Sequence, residues 1–133
     1  MSLGRKNSTQ QVGYLRFKVN YNDAGIATGN AKQWLPAGAI MLRSNIITTT
    51  AFNAATTNTI SLGFVGGTGT ELVNAQSVTA AADVQVLAPV SSDPLAAPKQ
   101  IQAIYAQTGA AATAGAAYVV IEFVADNDLN IGQ

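Results

Sequence analysis

Residues 34–64, WLPAGAIMLRSNIITTTAFNAATTNTISLGF, form the stretch on which the fold depends. Large apolar residues alternate with polar or small ones in both halves, and a period of two is typical of β-strands with one buried face. Polar residues 53–58 separate the halves, so we predict one long β-hairpin. The side chains on its apolar face are Ile40, Leu42, Ile46, Ile60, Leu62 and Phe64. Two strands cannot bury such a face alone, so a second sheet must cover it.

The rest of the chain contains further runs with the same alternation. Residues 14–21 predict a strand with one wet face, and residues 99–108 and 116–126 predict a final pair joined by a loop rich in glycine and alanine. Prolines within residues 89–98 indicate a crossing from one sheet or edge to another. With the shorter runs we count about eight strands, which predicts an all-β, antiparallel two-sheet sandwich or a barrel.

The length of 133 residues suits a single domain. We predict an N-terminal arm at residues 1–11, a β-sandwich domain at 12–126 and a C-terminal tail at 127–133. The arm is polar and carries Arg5 and Lys6, so it is either free or held by a neighbouring chain. The sequence has neither the apolar stretch of a secretion signal nor a run of roughly 20 apolar residues, so we expect no export and no membrane span.

The composition argues against most kinds of catalytic chemistry. The sequence has no cysteine and no histidine, which removes thiol nucleophiles, Cys/His zinc sites and Ser-His-Asp triads. Seven basic residues balance seven acidic ones, so the basic surface typical of nucleic-acid binding is missing. Residues 126–130 imitate a calcium loop, but Ile131 stands where that loop needs glycine. We expect no enzyme activity, metal, cofactor or small-molecule substrate, and neither nucleic acid nor membrane as partner.

The strand patterns also predict which side chains form the core and which contact a partner. The core set lies on the apolar faces and consists of Phe17, Ile40, Ile60, Leu62, Phe64, Val119, Ile121 and Phe123. The last strand is apolar on both faces except at one glutamate, so its outer face is covered either by another subunit or by loops of the same chain. The candidate contact residues are Arg5, Lys6, Tyr14, Trp34, Tyr118, Val120 and Glu122.

Trp34, the only tryptophan, lies beside a predicted turn at residues 36–38. We expect its ring to plug one end of the sandwich core, because buried aromatic rings dominate core energetics. The alternative is a flat ligand platform at Tyr14 or Trp34, which would make the chain a carbohydrate-binding or receptor-binding module.

Four segments of the chain resemble small virion proteins of tailed phages. They are LPAGAI at residues 35–40, ITTTAFN at 47–53, TNTISLG at 57–63 and GAAATAGAAYVVIEF at 109–123. With these turn-and-strand signatures the chain is similar to capsid cement proteins, also called decoration proteins, of the Bordetella-type short-tailed phages. The resemblance extends over most of residues 12–124.

This resemblance implies a jelly-roll sandwich on the outside of an icosahedral capsid. It implies that the partner is the major capsid protein, bound across the junctions between its subunits, and that copies self-associate as a homodimer over two-fold positions. Such a protein is made in the cytoplasm of the host bacterium, lies on the capsid exterior of the virion and stabilises the shell. The alternative function then becomes a carbohydrate-binding or receptor-binding β-sandwich module of a phage fibre or tail.

Overall fold

The computed structural model describes residues 12–86 and 94–124. The predicted arm with Arg5 and Lys6 and the predicted tail lie outside the described residues. The strands within the described part are β1 Val12–Asn20, β2 Asn30–Leu35, β3 Ile40–Thr50, β4 Thr57–Phe64, β5 Val73–Ser77, β6 Asp83–Val86, β7 Lys99–Thr108 and β8 Ala116–Val124. Over these same ranges the chain forms no helix that is long and apolar enough to cross a membrane.

The strands form two four-stranded antiparallel sheets. Sheet A has the strand order β1-β8-β3-β6, and sheet B has the order β2-β7-β4-β5. The first strand therefore pairs with the last, β2 with β7, β3 with β6 and β4 with β5. This nested pairing is the arrangement of a jelly roll, in which a folded ribbon of strand pairs wraps into two sheets. The predicted all-β antiparallel sandwich of eight strands is confirmed.

The predicted hairpin is wrong in its pairing, although both of its strands exist. Strand β3 lies in sheet A and β4 in sheet B, so residues 51–56 cross between sheets. This connection enters the core: the Phe52 ring lies 4.7 Å from the Tyr105 ring, centroid to centroid. Asn58 links this connection to β7, because its Oδ1 accepts hydrogen bonds from Ala54 N (2.9 Å) and from the Tyr105 hydroxyl. The crossing is therefore anchored inside the sandwich, whereas a hairpin loop would lie on its surface.

A β-bulge in β3 changes which of its residues face the core. The register against β8 shifts between Met41 and Arg43. As a result Met41 is buried, Leu42 is exposed and Ile40 is only half-buried, outside the core. The expectation that Ile40 and Leu42 lie in the core is corrected, because a bulge inserts one residue and reverses the alternation on one side of it.

Side chains from the inner faces of both sheets form one hydrophobic core. Six of the eight expected core side chains are buried in it: Phe17, Ile60, Leu62, Phe64, Val119 and Ile121. Phe123 is half-buried and packs against the edge of this core. Ile46, which the alternation also predicts on the apolar face, is buried in it as well. The core further contains several large side chains outside the expected set, namely Leu35, Met41, Phe52, Val78, Ile101 and Tyr105.

Trp34 does not plug the core. Its side chain is 59% exposed, and the next residue, Leu35, is fully buried in its place. The register of β2 against β7 shifts between Ala31 and Trp34, so a second bulge turns the indole outward. The expectation of a buried tryptophan is therefore wrong, and the ring lies on the outer face of sheet B.

Candidate functional site

Strands β1, β8 and β3 build the outer face of sheet A. Directly paired residues on neighbouring strands share a face, so their side chains stand in rows across the sheet. Read from β1 through β8 to β3, the rows are Val12, Val124, Ile40; Tyr14, Glu122, Arg43; Arg16, Val120, Asn45; and Lys18, Tyr118, Ile47. Four expected contact residues, Tyr14, Tyr118, Val120 and Glu122, therefore share one surface. Trp34 lies on the opposite sheet.

An ion pair occupies the middle of this face. The Arg43 guanidinium donates from Nη2 to Glu122 Oε1 at 3.1 Å and from Nε to Glu122 Oε2. Its hydrogen bonds hold the pKa of Glu122 below the ordinary 4.5, and the carboxylate raises the pKa of Arg43. Glu122 is thus neutralised by its own chain and is not an isolated charge for a partner.

Two cations lie over a tyrosine ring at one end of the face. The guanidinium carbon of Arg16 is 5.1 Å from the centroid of the Tyr118 ring, and Lys18 Nζ is 5.8 Å from it. This contact covers the ring, which is half-buried, and holds both cations by cation–π attraction. In the described part of the chain, the ion pairs are Lys32–Asp23 and Arg43–Glu122. Arg16 and Lys18, which we call the basic strip, carry charge that neither pair neutralises.

The other end of the face is apolar. Tyr14 is 66% exposed and Val12 53% exposed, and Ile40 and Val124 complete the row beside them. Leu42, the extra residue of the β3 bulge, is exposed next to this row. We call these five residues the apolar patch. A contiguous group of exposed large apolar side chains marks an interaction site more often than scattered ones do.

The sequence contained part of the signal for this face. The alternation of residues 14–21 predicts one wet face, and Tyr14, Arg16 and Lys18 are the residues that the alternation places on it. It could not place Ile40 or Leu42 there, because the alternation of residues gives no sign of the bulge that turns them away from the core. Only the pairing of β8 between β1 and β3 brings the three strands into one surface.

The outer face of sheet B has a different character. Apart from the large apolar Ile104, its paired positions carry small or polar uncharged side chains, namely Thr57, Thr59, Ser61, Gly63, Gln100, Gln102 and Ala106. At one end Trp34 is paired with Gln100, whose carbonyl also accepts a hydrogen bond from Val65 N at 2.8 Å. Trp34 and Val65 are exposed there. None of the residues named on this face is charged.

The glycine-rich loop after β4 holds a carboxylate of its own chain. Glu71 Oε1 accepts from Phe64 N and Gly69 N, both at 3.0 Å, and Oε2 accepts from Thr68 N at 2.8 Å. Burial alone raises the pKa of Glu71, but these backbone hydrogen bonds outweigh it and hold the pKa below 4.5. These N–H groups are thus committed to Glu71, and the loop is not a free phosphate cradle.

No family model and no curated protein matches the chain. Among solved structures, it is similar to a chain of the cyanophage Pam1 capsid asymmetric unit, with a TM-score of 0.63 and 18% identity over 88% of this chain and 86% of that one. It is also similar to a chain in the capsid of Ralstonia phage GP4, with a TM-score of 0.56 and 16% identity over 86% of this chain and 84% of that one. Nearly the whole chain therefore adopts a fold that also occurs in phage capsids.

Proposed function

We propose that this protein is a structural virion protein that binds the outside of an icosahedral phage capsid and stabilises it, as a cement or decoration protein does. The observation that carries the proposal is the fold similarity to two phage capsid chains, which covers 84% or more of every chain compared. The similarity therefore concerns the whole sandwich. The partner in this proposal is the major capsid protein, with self-association of copies on the shell.

The surface of the sandwich supports a binding role. The outer face of sheet A carries the apolar patch and the basic strip, while its one glutamate is neutralised by Arg43. The carboxylate of Glu71 is likewise committed, to backbone N–H groups. Over residues 12–86 and 94–124, no group of three or more acidic side chains is arranged to hold a metal ion. These features fit a protein that works by contact.

A cement protein acts by mass action. A protein that binds the assembled shell, and not its separated subunits, lowers the free energy of the assembled state at every occupied site. Many modest contacts then add up over the shell, as in other multivalent assemblies. This mechanism needs a rigid binding domain and no catalytic reaction. A sandwich with one continuous hydrophobic core meets that need.

The direct test is rebinding to shells that have lost the protein. Purified shells of the phage that carries this protein would be stripped of it, mixed with the recombinant chain and sedimented. We expect saturable co-sedimentation at micromolar concentration, with a fixed number of copies per shell. Failure to rebind under these conditions would contradict the proposal.

The alternative of a carbohydrate-binding or receptor-binding module of a fibre or tail rests on exposed aromatic rings. Trp34 and Tyr14 are both exposed, but they lie on opposite sheets of the sandwich, so they cannot form one platform. A glycan array with the wild type and the Trp34→Ala variant tests what remains of this alternative. Retention on a glycan that disappears in the variant would favour it.

A further inference from the structure

We propose that the outer face of sheet A is the docking face, and that its partner is a protein surface that presents carboxylates beside an apolar hollow. This inference rests on the proposed function and adds which face docks and the chemistry of the surface that it meets. Its two halves are the apolar patch and the basic strip, and each makes its own demand on the partner.

The apolar patch demands an apolar counterpart. Val12 and Tyr14 are 53% and 66% exposed to water. Their own core cannot bury them, because it lies on the other side of the sheet. Burying such side chains against a partner is favourable by roughly 25 cal/mol per Å² of apolar surface removed from water. Tyr14 can also keep its hydroxyl in contact with water or a polar group at the rim, as tyrosine commonly does at interfaces.

The basic strip demands carboxylates. Arg16 and Lys18 stand on the same edge strand, two residues apart, and both lie over Tyr118. The nearest described acidic group on the face, Glu122, is already bound by Arg43. Asp83 is on β6, three strand spacings away from β1, or about 14 Å. The charge of the strip is therefore not compensated on its own sheet.

The combination favours a protein surface over a nucleic acid. A nucleic acid would meet the strip with a row of phosphates, and stable binding of that kind uses several cations in succession. Among the residues that the structure describes, this face offers two cations without a carboxylate partner, and the apolar patch beside them would find no counterpart on a phosphate backbone. An acidic protein surface with an apolar hollow satisfies both halves.

The two-sheet architecture supplies a control surface on the same molecule. The strands of sheet B present uncharged side chains on their outer face, with Trp34 exposed at one end. The carboxylate of Glu71, which lies over Gly63 on this face, is already bound by backbone N–H groups. Lys99, at the start of β7, lies over the Phe64 ring with Nζ 5.6 Å from the centroid, much as Lys18 lies over Tyr118 at 5.8 Å. Substituting either lysine removes an exposed cation held on an aromatic ring, and only one of the two belongs to the proposed docking face.

The experiment compares two matched pairs of variants on stripped shells. Lys18→Glu is paired with Lys99→Glu, which changes net charge equally, and Tyr14→Ala is paired with Trp34→Ala. We expect Lys18→Glu and Tyr14→Ala each to weaken binding about tenfold or more, as loss of a charge contact or of a buried aromatic anchor does. The charge effect should diminish in high salt, because salt screens exposed charges. Lys99→Glu and Trp34→Ala should bind as the wild type does.

The possible outcomes separate this inference from the proposed function. If the wild type binds but Lys99→Glu and Trp34→Ala are the weakened variants, or if all four bind as the wild type, the protein binds capsids through another surface and the inference is wrong. If the wild type does not bind, the proposed function fails and the inference with it. Denaturant midpoints check that every variant is folded, and Lys18→Gln, which removes the charge without reversing it, should show an intermediate loss.

Discussion

At the scale of single residues, Glu71 is held by backbone N–H groups and not by a cation. Three donors from residues 64–69 meet its two oxygens, and only the ionised carboxylate can accept all of them well. Its pKa is lower in the folded protein than in the unfolded chain. The stabilisation is therefore present above the unfolded pKa and is lost as the pH falls through the folded pKa.

We predict that Glu71→Gln destabilises the protein at neutral pH by about 1 to 2 kcal/mol, because the neutral amide replaces charge-assisted hydrogen bonds with weaker ones. The difference in free energy of unfolding between wild type and variant should shrink as the pH falls below the ordinary value of 4.5. Urea denaturation over a pH series measures it. Asp83→Asn, which removes an exposed carboxylate, is the control. A difference that stays constant into acid would contradict the carboxylate's role.

The glycine-rich loop illustrates what the sequence could reveal about single residues. Absence of a Lys-Ser/Thr pair after residues 66–70 already argues against a phosphate cradle. Nothing in the sequence, however, indicates that Glu71 folds back onto Phe64 and Thr68. That contact depends on how tightly the loop turns, which Gly66 and Gly69 permit by adopting positive φ angles of 87° and 81°.

At the scale of strands, the alternation of apolar and polar residues predicted where the strands lie, but it did not predict which strands pair. Lys99–Thr108 was predicted with its exact bounds and is β7. The pairing of β3 with β4 was wrong because two strands adjacent in sequence either form a hairpin or cross between sheets, and the alternation is identical in the two cases. The difference lies in the connection, where Phe52 is buried in the core.

The same crossing makes one glycine critical. Gly115, just before β8, has a φ angle of 154°, and a Cβ added there would lie 2.4 Å from the Phe52 ring. We predict that Gly115→Ala lowers the free energy of unfolding by about 3 kcal/mol or more, because backbone strain and a clash inside a packed core add. Chemical denaturation measures the loss.

Gly66→Ala is the matched control for this substitution. Gly66 also has a positive φ, of 87°, but a Cβ there would meet no atom within 4 Å. It should cost only the backbone strain, about 1 kcal/mol. If the ring causes the clash, the double variant Gly115→Ala with Phe52→Leu should lose less free energy of unfolding than the sum of the two single losses. Equal losses for the two glycine variants would show that Phe52 does not pack against Gly115.

At the scale of the whole molecule, the two outer faces differ in the side chains of their strands: those of sheet A include cations and exposed apolar residues, and those of sheet B are uncharged. The sequence predicted four of the residues that share the outer face of sheet A, through the doubly apolar pattern of the last strand and the alternation of β1. It missed the apolar patch as a unit, because that patch joins Val12, Ile40 and Val124 from three strands that are far apart along the chain. Long-range pairing of this kind carries no local signature.

The proposed function predicts that bound protein raises the temperature at which the shell comes apart. If each copy binds only the assembled shell, stabilisation per site grows as the logarithm of free protein concentration and reaches about 2.7 kcal/mol at a concentration 100 times Kd. Thermal melting of stripped shells, with increasing amounts of recombinant protein, measures the shift. The melting temperature should continue to rise after occupancy has saturated. A shell that comes apart must release its bound copies, and a higher concentration of free protein opposes that release. A shell that fills with protein and still melts at its original temperature would mean that the protein decorates the capsid without strengthening it.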